Sequence, residues 1–146
     1  MLLRLLSLLA ILFFPSASVA QTPSLEGSTA SLWDHNGSVM RMFRWPDGRL
    51  MIAYDTPREG IAELTPRGTV MLTGKTAGDA VVGRAGVFKR GCPPAGYMVE
   101  GSFSKSDGGA LVVRGAAPVR RGCRVVGYRS DGGSAELTFT RLPSPS

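Results

Sequence analysis

The densest group of side chains able to do chemistry is Trp33-Asp34-His35-Asn36. An aspartate beside a histidine could serve as an acid–base pair. The spacing argues against it, because neighbours in a strand point to opposite faces and would not meet. No serine sits in a nucleophile elbow, and no free cysteine is expected to pair with His35. A turn is the simpler reading. Asn36-Gly37 suits a hairpin whose two central residues need positive φ, with Asp34 or His35 bonding its backbone. Asn36-Gly37-Ser38 is also formally an N-glycosylation sequon. Asp34, Asp55, Glu59, Glu63 and Glu100 could supply the two carboxylates of a glycosidase. Nothing in the sequence pairs them across a cleft, and residues 55–60 read as a polar turn. One histidine and two cysteines without CxxC or HxxxH spacing make a poor metal set. No catalytic residue, metal ligand or cofactor is assigned.

Arginine offers the better binding chemistry. Lys89-Arg90-Gly91-Cys92 and Arg120-Arg121-Gly122-Cys123 share the order basic, Arg, Gly, Cys. A bond between Cys92 and Cys123 would gather Arg90, Arg120, Arg121 and Arg124 at one rim, with Arg84 and Arg114 able to extend it. Guanidinium forks suit phosphate and carboxylate, so the partners implied are anionic lipid or acidic polysaccharide. The competing reading is a solvated rim that discourages edge-to-edge aggregation.

The chain of 146 residues has 17 Lys and Arg against 11 Asp and Glu, a net charge of +6. That balance is ordinary for a soluble domain and favours anionic surfaces. Nucleic acid is disfavoured, since no aromatic-basic stacking pattern is present. Residues 1–20 carry one base, Arg4, then an apolar run and a small-residue stretch ending at Ala20. This is the pattern of a secretory signal peptide cut before Gln21, with a run too short to span a bilayer. A periplasmic or extracellular address follows. Two cysteines in an exported chain then predict a disulfide, one that closes a loop stabilising by roughly 3–4 kcal/mol in the chain-entropy model. No transmembrane segment is expected in the mature chain.

Residues 21–31 are expected to be a flexible leader, 32–141 a single β domain and 142–146 a flexible tail. Strands are predicted at 39–45, 50–54, 69–73, 80–88, 97–103, 110–116, 124–130 and 135–141, with a shorter one at 32–35. Pro57 and Pro66 break the one candidate helix start, 58–64. Tyr97, Val99, Gly101 and Phe103 alternate with Met98, Glu100 and Ser102, which implies one buried and one wet face. Gly83, Gly101, Gly115 and Gly127 fall in phase with apolar faces. Glycine weakens a strand, and tight curvature in a small barrel accounts for its repetition. The fold expected is all-β, an antiparallel meander of about eight strands in a closed or nearly closed barrel. A β-sandwich is the alternative. Met40, Met42, Phe43 and Trp45 could pack a core or line an apolar ligand site.

Trp33 to Met40, Pro57, Gly68-Thr69-Val70, Gly91-Cys92-Pro93-Pro94, Gly115-Ala116-Ala117-Pro118 and Gly122 to Tyr128 together resemble a group of small secreted bacterial proteins. Similar modules lie behind caspase-like peptidase domains. The resemblance covers nearly all of 32–139 and implies a self-contained module with a Cys92–Cys123 bridge. It implies no catalytic residues and no substrate.

The function expected is therefore a non-catalytic exported envelope module that binds an anionic or amphipathic partner. The alternatives are a small carboxylate-dependent hydrolase of envelope polysaccharide and a purely structural accessory domain.

Overall fold

Alternation decides the architecture. In a computed structural model that describes residues 24–104 and 109–144, Tyr97 and Val99 are buried while Met98 and Glu100 face solvent. Leu137 and Phe139 are likewise buried between exposed Glu136, Thr138 and Thr140. Both segments thus have one apolar face to hide, and the meander hides it by curling.

The strands are β1 (Thr29–His35), β2 (Ser38–Arg44), β3 (Arg49–Thr56), β4 (Val70–Ala77), β5 (Ala80–Val87), β6 (Ala95–Ser104), β7 (Ala110–Arg114), β8 (Ala117–Arg121), β9 (Arg124–Arg129) and β10 (Glu136–Arg141). Eight form a closed barrel in the order β1-β10-β7-β6-β5-β4-β3-β2, and β8-β9 is a separate two-stranded sheet. Closure comes from β1 against β10, with Trp33 opposite Arg141 and Asp34 opposite Thr140. Leu142 N–H extends it to the Leu32 carbonyl at 2.9 Å. The barrel and the meander are as expected; the sandwich is not formed.

Several boundaries differ from expectation. β1 begins at Thr29, inside the expected leader, because its small polar residues pair with β2 as far as Arg44. The segment predicted as a barrel strand at 124–130 instead pairs with β8, which had no predicted counterpart. Neither strand of that hairpin has a continuously buried face, so neither can close a barrel. The expected signal peptide lies outside the described residues.

Curvature depends on glycine where walls meet. Gly74 and Gly83 face each other across β4 and β5. A Cβ on Gly101 would sit 2.7 Å from the Val113 Cα. Gly127 has nothing within 4 Å, so close packing is not its role; it lies in the hairpin outside the barrel.

The axis is filled. Phe139, Met40, Met42, Ile52, Leu72 and Leu111 are fully buried. Of the two readings of Met40, Met42, Phe43 and Trp45, a packed core or an apolar ligand site, the packed core is the one observed for Met40 and Met42. One end of the barrel carries the β2–β3 and β4–β5 turns. The opposite end carries the β1–β2 turn, the 57–69 loop, the 88–94 loop and the long 115–135 connection that holds β8 and β9.

Candidate functional site

That second end holds a cavity of about 250 Å³. Tyr54 near the end of β3, Phe88 just after β5 and Tyr97 in β6 wall it. Ile61, Leu64 and Leu137 make its apolar surface, and Arg58, Thr65 and Ser134 add polar groups. The 57–69 loop is wired in place between its two prolines. Leu64 and Thr65 N–H donate to the Ile61 carbonyl at 3.0 and 2.8 Å, and Arg58 N–H donates to Ser38 Oγ at 3.0 Å. Gly68 N–H closes the loop on the Tyr54 carbonyl at 2.8 Å. The expected break at Pro57 and Pro66 is real: the segment forms turns and no helix.

Burial raises the Tyr54 phenol, although the Thr65 hydrogen bond and the Arg58 charge pull the other way. Burial also raises Tyr97. Both phenols therefore stay protonated at neutral pH and can donate. Tyr97 spends its donor on the Ser134 carbonyl, which pins the chain just before β10. Phe88 meets Tyr54 edge to face at 6.3 Å, a geometry aromatic pairs favour. The Arg58 stem crosses the β1–β2 turn, with its Cδ 3.8 Å from where a Gly37 Cβ would lie.

Asp34 and His35 do not act together, as the strand geometry predicted. His35 is buried at 6% exposure and stacks on Phe139 at 4.7 Å. Its Nδ1 lies 2.9 Å from the Thr138 carbonyl, which makes Nδ1 the donor, and its Nε2 is 3.4 Å from Asn36 Nδ2. Asn36 and Gly37 have φ of 52° and 84°, as the hairpin reading required.

The candidate acids are dispersed. Asp55 on the outer wall accepts from Arg41 Nε and Nη2 at 2.9 and 2.7 Å and from Arg67 at 3.2 Å. Partial burial raises its carboxyl, but the Arg41 hydrogen bond and the Arg41 and Arg67 charges outweigh it and hold it below the usual range. Glu63 pairs with Arg90 at 3.0 Å. Glu100 stands opposite Arg114 in the ladder. No described acid is buried with a second acid facing it, and no group of three or more His, Cys, Asp or Glu among the described residues could hold a metal.

Cys92 and Cys123 are bonded, with Cα atoms 5.1 Å apart. The bond ties the 88–94 loop to the β8–β9 turn, and the four arginines separate into different roles around it. Arg120 turns inward and donates to the carbonyls of Val87, Pro93 and Cys123 at 3.0, 2.7 and 3.3 Å. Arg90 is engaged by Glu63. Arg121 and Arg124 are exposed and face each other across the hairpin. The bridge gathers the four, but only the last two present uncommitted guanidinium groups among the described residues. A larger concavity of about 630 Å³ lies on the outer wall along Val82, Glu100, Gly101 and Arg114. It is an open trough without a convergent set of donors.

Sequence reasoning did not single out Tyr54, Arg58, Thr65 or Phe88 for this end. Alternation did place Tyr97 inward, and a tyrosine near the end of an inward-facing row is a usable signal for a polar mouth. The roles of Arg58 and Thr65 depend on how the loop folds back, which local pattern does not encode.

No protein-family model matches the chain. No curated protein matches it either. Among solved structures, the rhizavidin–biotin complex is similar, with a TM-score of 0.54 and 18% identity, covering 84% of this chain and 100% of that one. At that identity the likeness is one of fold.

Proposed function

We propose that this chain is an exported, non-catalytic binding module whose barrel mouth takes the apolar or aromatic end of a small anionic ligand. The observation that carries the reading is the cavity walled by Tyr54, Phe88 and Tyr97 with the Arg58 cation at its side. Apolar walls with a few placed polar groups are the usual make-up of a ligand site. The fold is similar to that of a protein solved as a complex with biotin, which supports a small-ligand reading. The cavity of about 250 Å³ is smaller than most drug-sized sites, and Met40, Met42 and Phe139 fill the space below it. The ligand is therefore held by one end and not swallowed. The disulfide and the secretory pattern of residues 1–20 support an address outside the cytoplasm. The hydrolase alternative is less well supported, since Asp55 and Glu63 are bound by arginines.

The test is calorimetric titration with short aromatic and aliphatic carboxylates, with biotin and the matching uncharged amides for comparison. Binding of a carboxylate, weakened about tenfold or more in Arg58→Gln, is the expected result. Equal affinity for acid and amide, or equal affinity of wild type and Arg58→Gln, overturns the reading.

A further inference from the structure

The Cys92–Cys123 bridge gathers more positive charge than its surroundings neutralise. Lys89 Nζ donates to the Gly122 carbonyl at 3.0 Å, and Arg120 donates to the carbonyls of Val87, Pro93 and Cys123. A carbonyl satisfies the donor but leaves the formal charge in place. Arg121 and Arg124 are paired directly across the hairpin. Among the described residues no carboxylate is bonded to any of these four cations. Glu63 and Asp131 are engaged elsewhere, on Arg90 at 3.0 Å and on Arg129 at 2.8 Å.

Like charges directly opposite each other destabilise a ladder, so the Arg121–Arg124 pair costs stability that an anion between them would restore. The bond ties the β8–β9 turn to the 88–94 loop and gives the pair a rigid support. Little of the backbone then needs ordering when a partner binds. Positive charge is also concentrated at this end of the barrel. The connections 57–69, 88–94 and 115–135 carry eight Lys or Arg against three acids. The described turns at the opposite end, 45–48 and 78–79, carry Asp47 and Asp79 and no base. Such a field draws an anionic partner to the bridge.

We propose that this cluster binds the carboxylates of an acidic polysaccharide. The guanidinium forks of Arg121 and Arg124 suit a carboxylate, and Lys89 and Arg120 add to the field that holds it. Pro118 and Arg121 lie three residues apart on β8, so the Pro118–Tyr128 pair faces the other side of the hairpin from the Arg121–Arg124 pair. The arginine side therefore lacks the aromatic ring that stacks a base or seats at a bilayer boundary. Its partner is a hydrated polyanion, bound through charge alone. The four cations are not part of the mouth's lining, and the proposal does not rest on the ligand proposed there.

The test is binding to polygalacturonate and to its fully methyl-esterified form, which keeps the sugars and removes the charge, at low and high salt. Phosphatidylglycerol vesicles are the comparison. Three proteins are measured: wild type, Arg121→Gln/Arg124→Gln and Lys75→Gln/Arg141→Gln, each shown to be folded by circular dichroism and an intact disulfide. Lys75 and Arg141 are exposed and lie toward the opposite end of the barrel, so their loss matches the change in net charge without touching the bridge. Wild type should bind polygalacturonate, lose it with salt as the charges are screened, and ignore the ester. Arg121→Gln/Arg124→Gln should bind about tenfold more weakly, roughly threefold for each exposed ion pair lost. Lys75→Gln/Arg141→Gln should bind as wild type does. Absence of binding to polygalacturonate, unchanged binding in Arg121→Gln/Arg124→Gln, or an equal loss in both variants overturns the proposal. Stronger binding to phosphatidylglycerol vesicles than to polygalacturonate also overturns it, and assigns the cluster to a lipid surface.

Discussion

Gly83 lies directly opposite Gly74, so close that a Cβ built on Gly83 would stand 3.1 Å from the Gly74 Cα and closer still to the Thr73 carbonyl. Two adjacent strands of the barrel touch backbone to backbone at this point. Neither neighbour has a flexible side chain that could move aside.

Gly83→Val is therefore expected to destabilise by about 1–3 kcal/mol through overpacking. Gly101→Val should do the same, because its Cβ would enter the Val112 and Val113 backbone. Gly127→Val supplies the contrast. Nothing lies within 4 Å of that position, and valine is the better strand former, so its stability should be unchanged or slightly higher. Urea denaturation of the three variants checks the set. A gain of stability in Gly83→Val would remove close strand contact as the reason for that glycine.

Much of this curvature was legible in the sequence. Glycines in phase with the apolar alternation of β5 and β6 point to backbone contact before any coordinates exist. Gly127 shows the limit: the same spacing occurs in a strand that lies outside the barrel. No strand is expected over 117–121, because the pairing of β8 with β9 is held by the bridge and by Arg120 and not by an apolar face. Arg120 itself read as a candidate anion site. Its inward turn follows a register shift between Val119 and Arg120, and nothing local in the sequence announces that shift.

Arg120 and its neighbour Arg121 should consequently behave differently. Arg120 Nη2 holds the Val87 and Pro93 carbonyls while Nη1 reaches the Cys123 carbonyl, two donor nitrogens where a lysine has one. Arg120→Lys or Arg120→Gln should cost about 1–3 kcal/mol, the usual worth of hydrogen bonds from a charged donor. Arg121→Gln is exposed and should change stability by no more than about 0.5 kcal/mol. Thermal melts of the oxidised proteins measure both. Equal melting temperatures for the Arg120 and Arg121 variants would return Arg120 to the solvent-facing group.

The last prediction concerns pH. Burial pushes the His35 imidazole down from its ordinary 6.5, and the Thr138 carbonyl bond and nearby Asp34 only partly offset that. The folded ring stays neutral, donating from Nδ1 to Thr138, while the unfolded chain takes up a proton near pH 6.5. The unfolded state thus binds more protons as pH falls, and stability drops with it. The contribution is fully present above about pH 6.5 and is lost as pH falls from there through the lower folded value. Asp47, Asp55 and Asp131 are also depressed, from 3.8, so their losses begin in a more acidic window. Melting temperature should therefore fall between pH 7 and 5, before the carboxylates matter. His35→Asn keeps a donor for the Thr138 carbonyl but cannot titrate. It should melt lower at pH 7, for loss of the stack on Phe139, with a flatter profile from pH 7 to 5. Parallel profiles in wild type and His35→Asn would show that the acid sensitivity arises elsewhere.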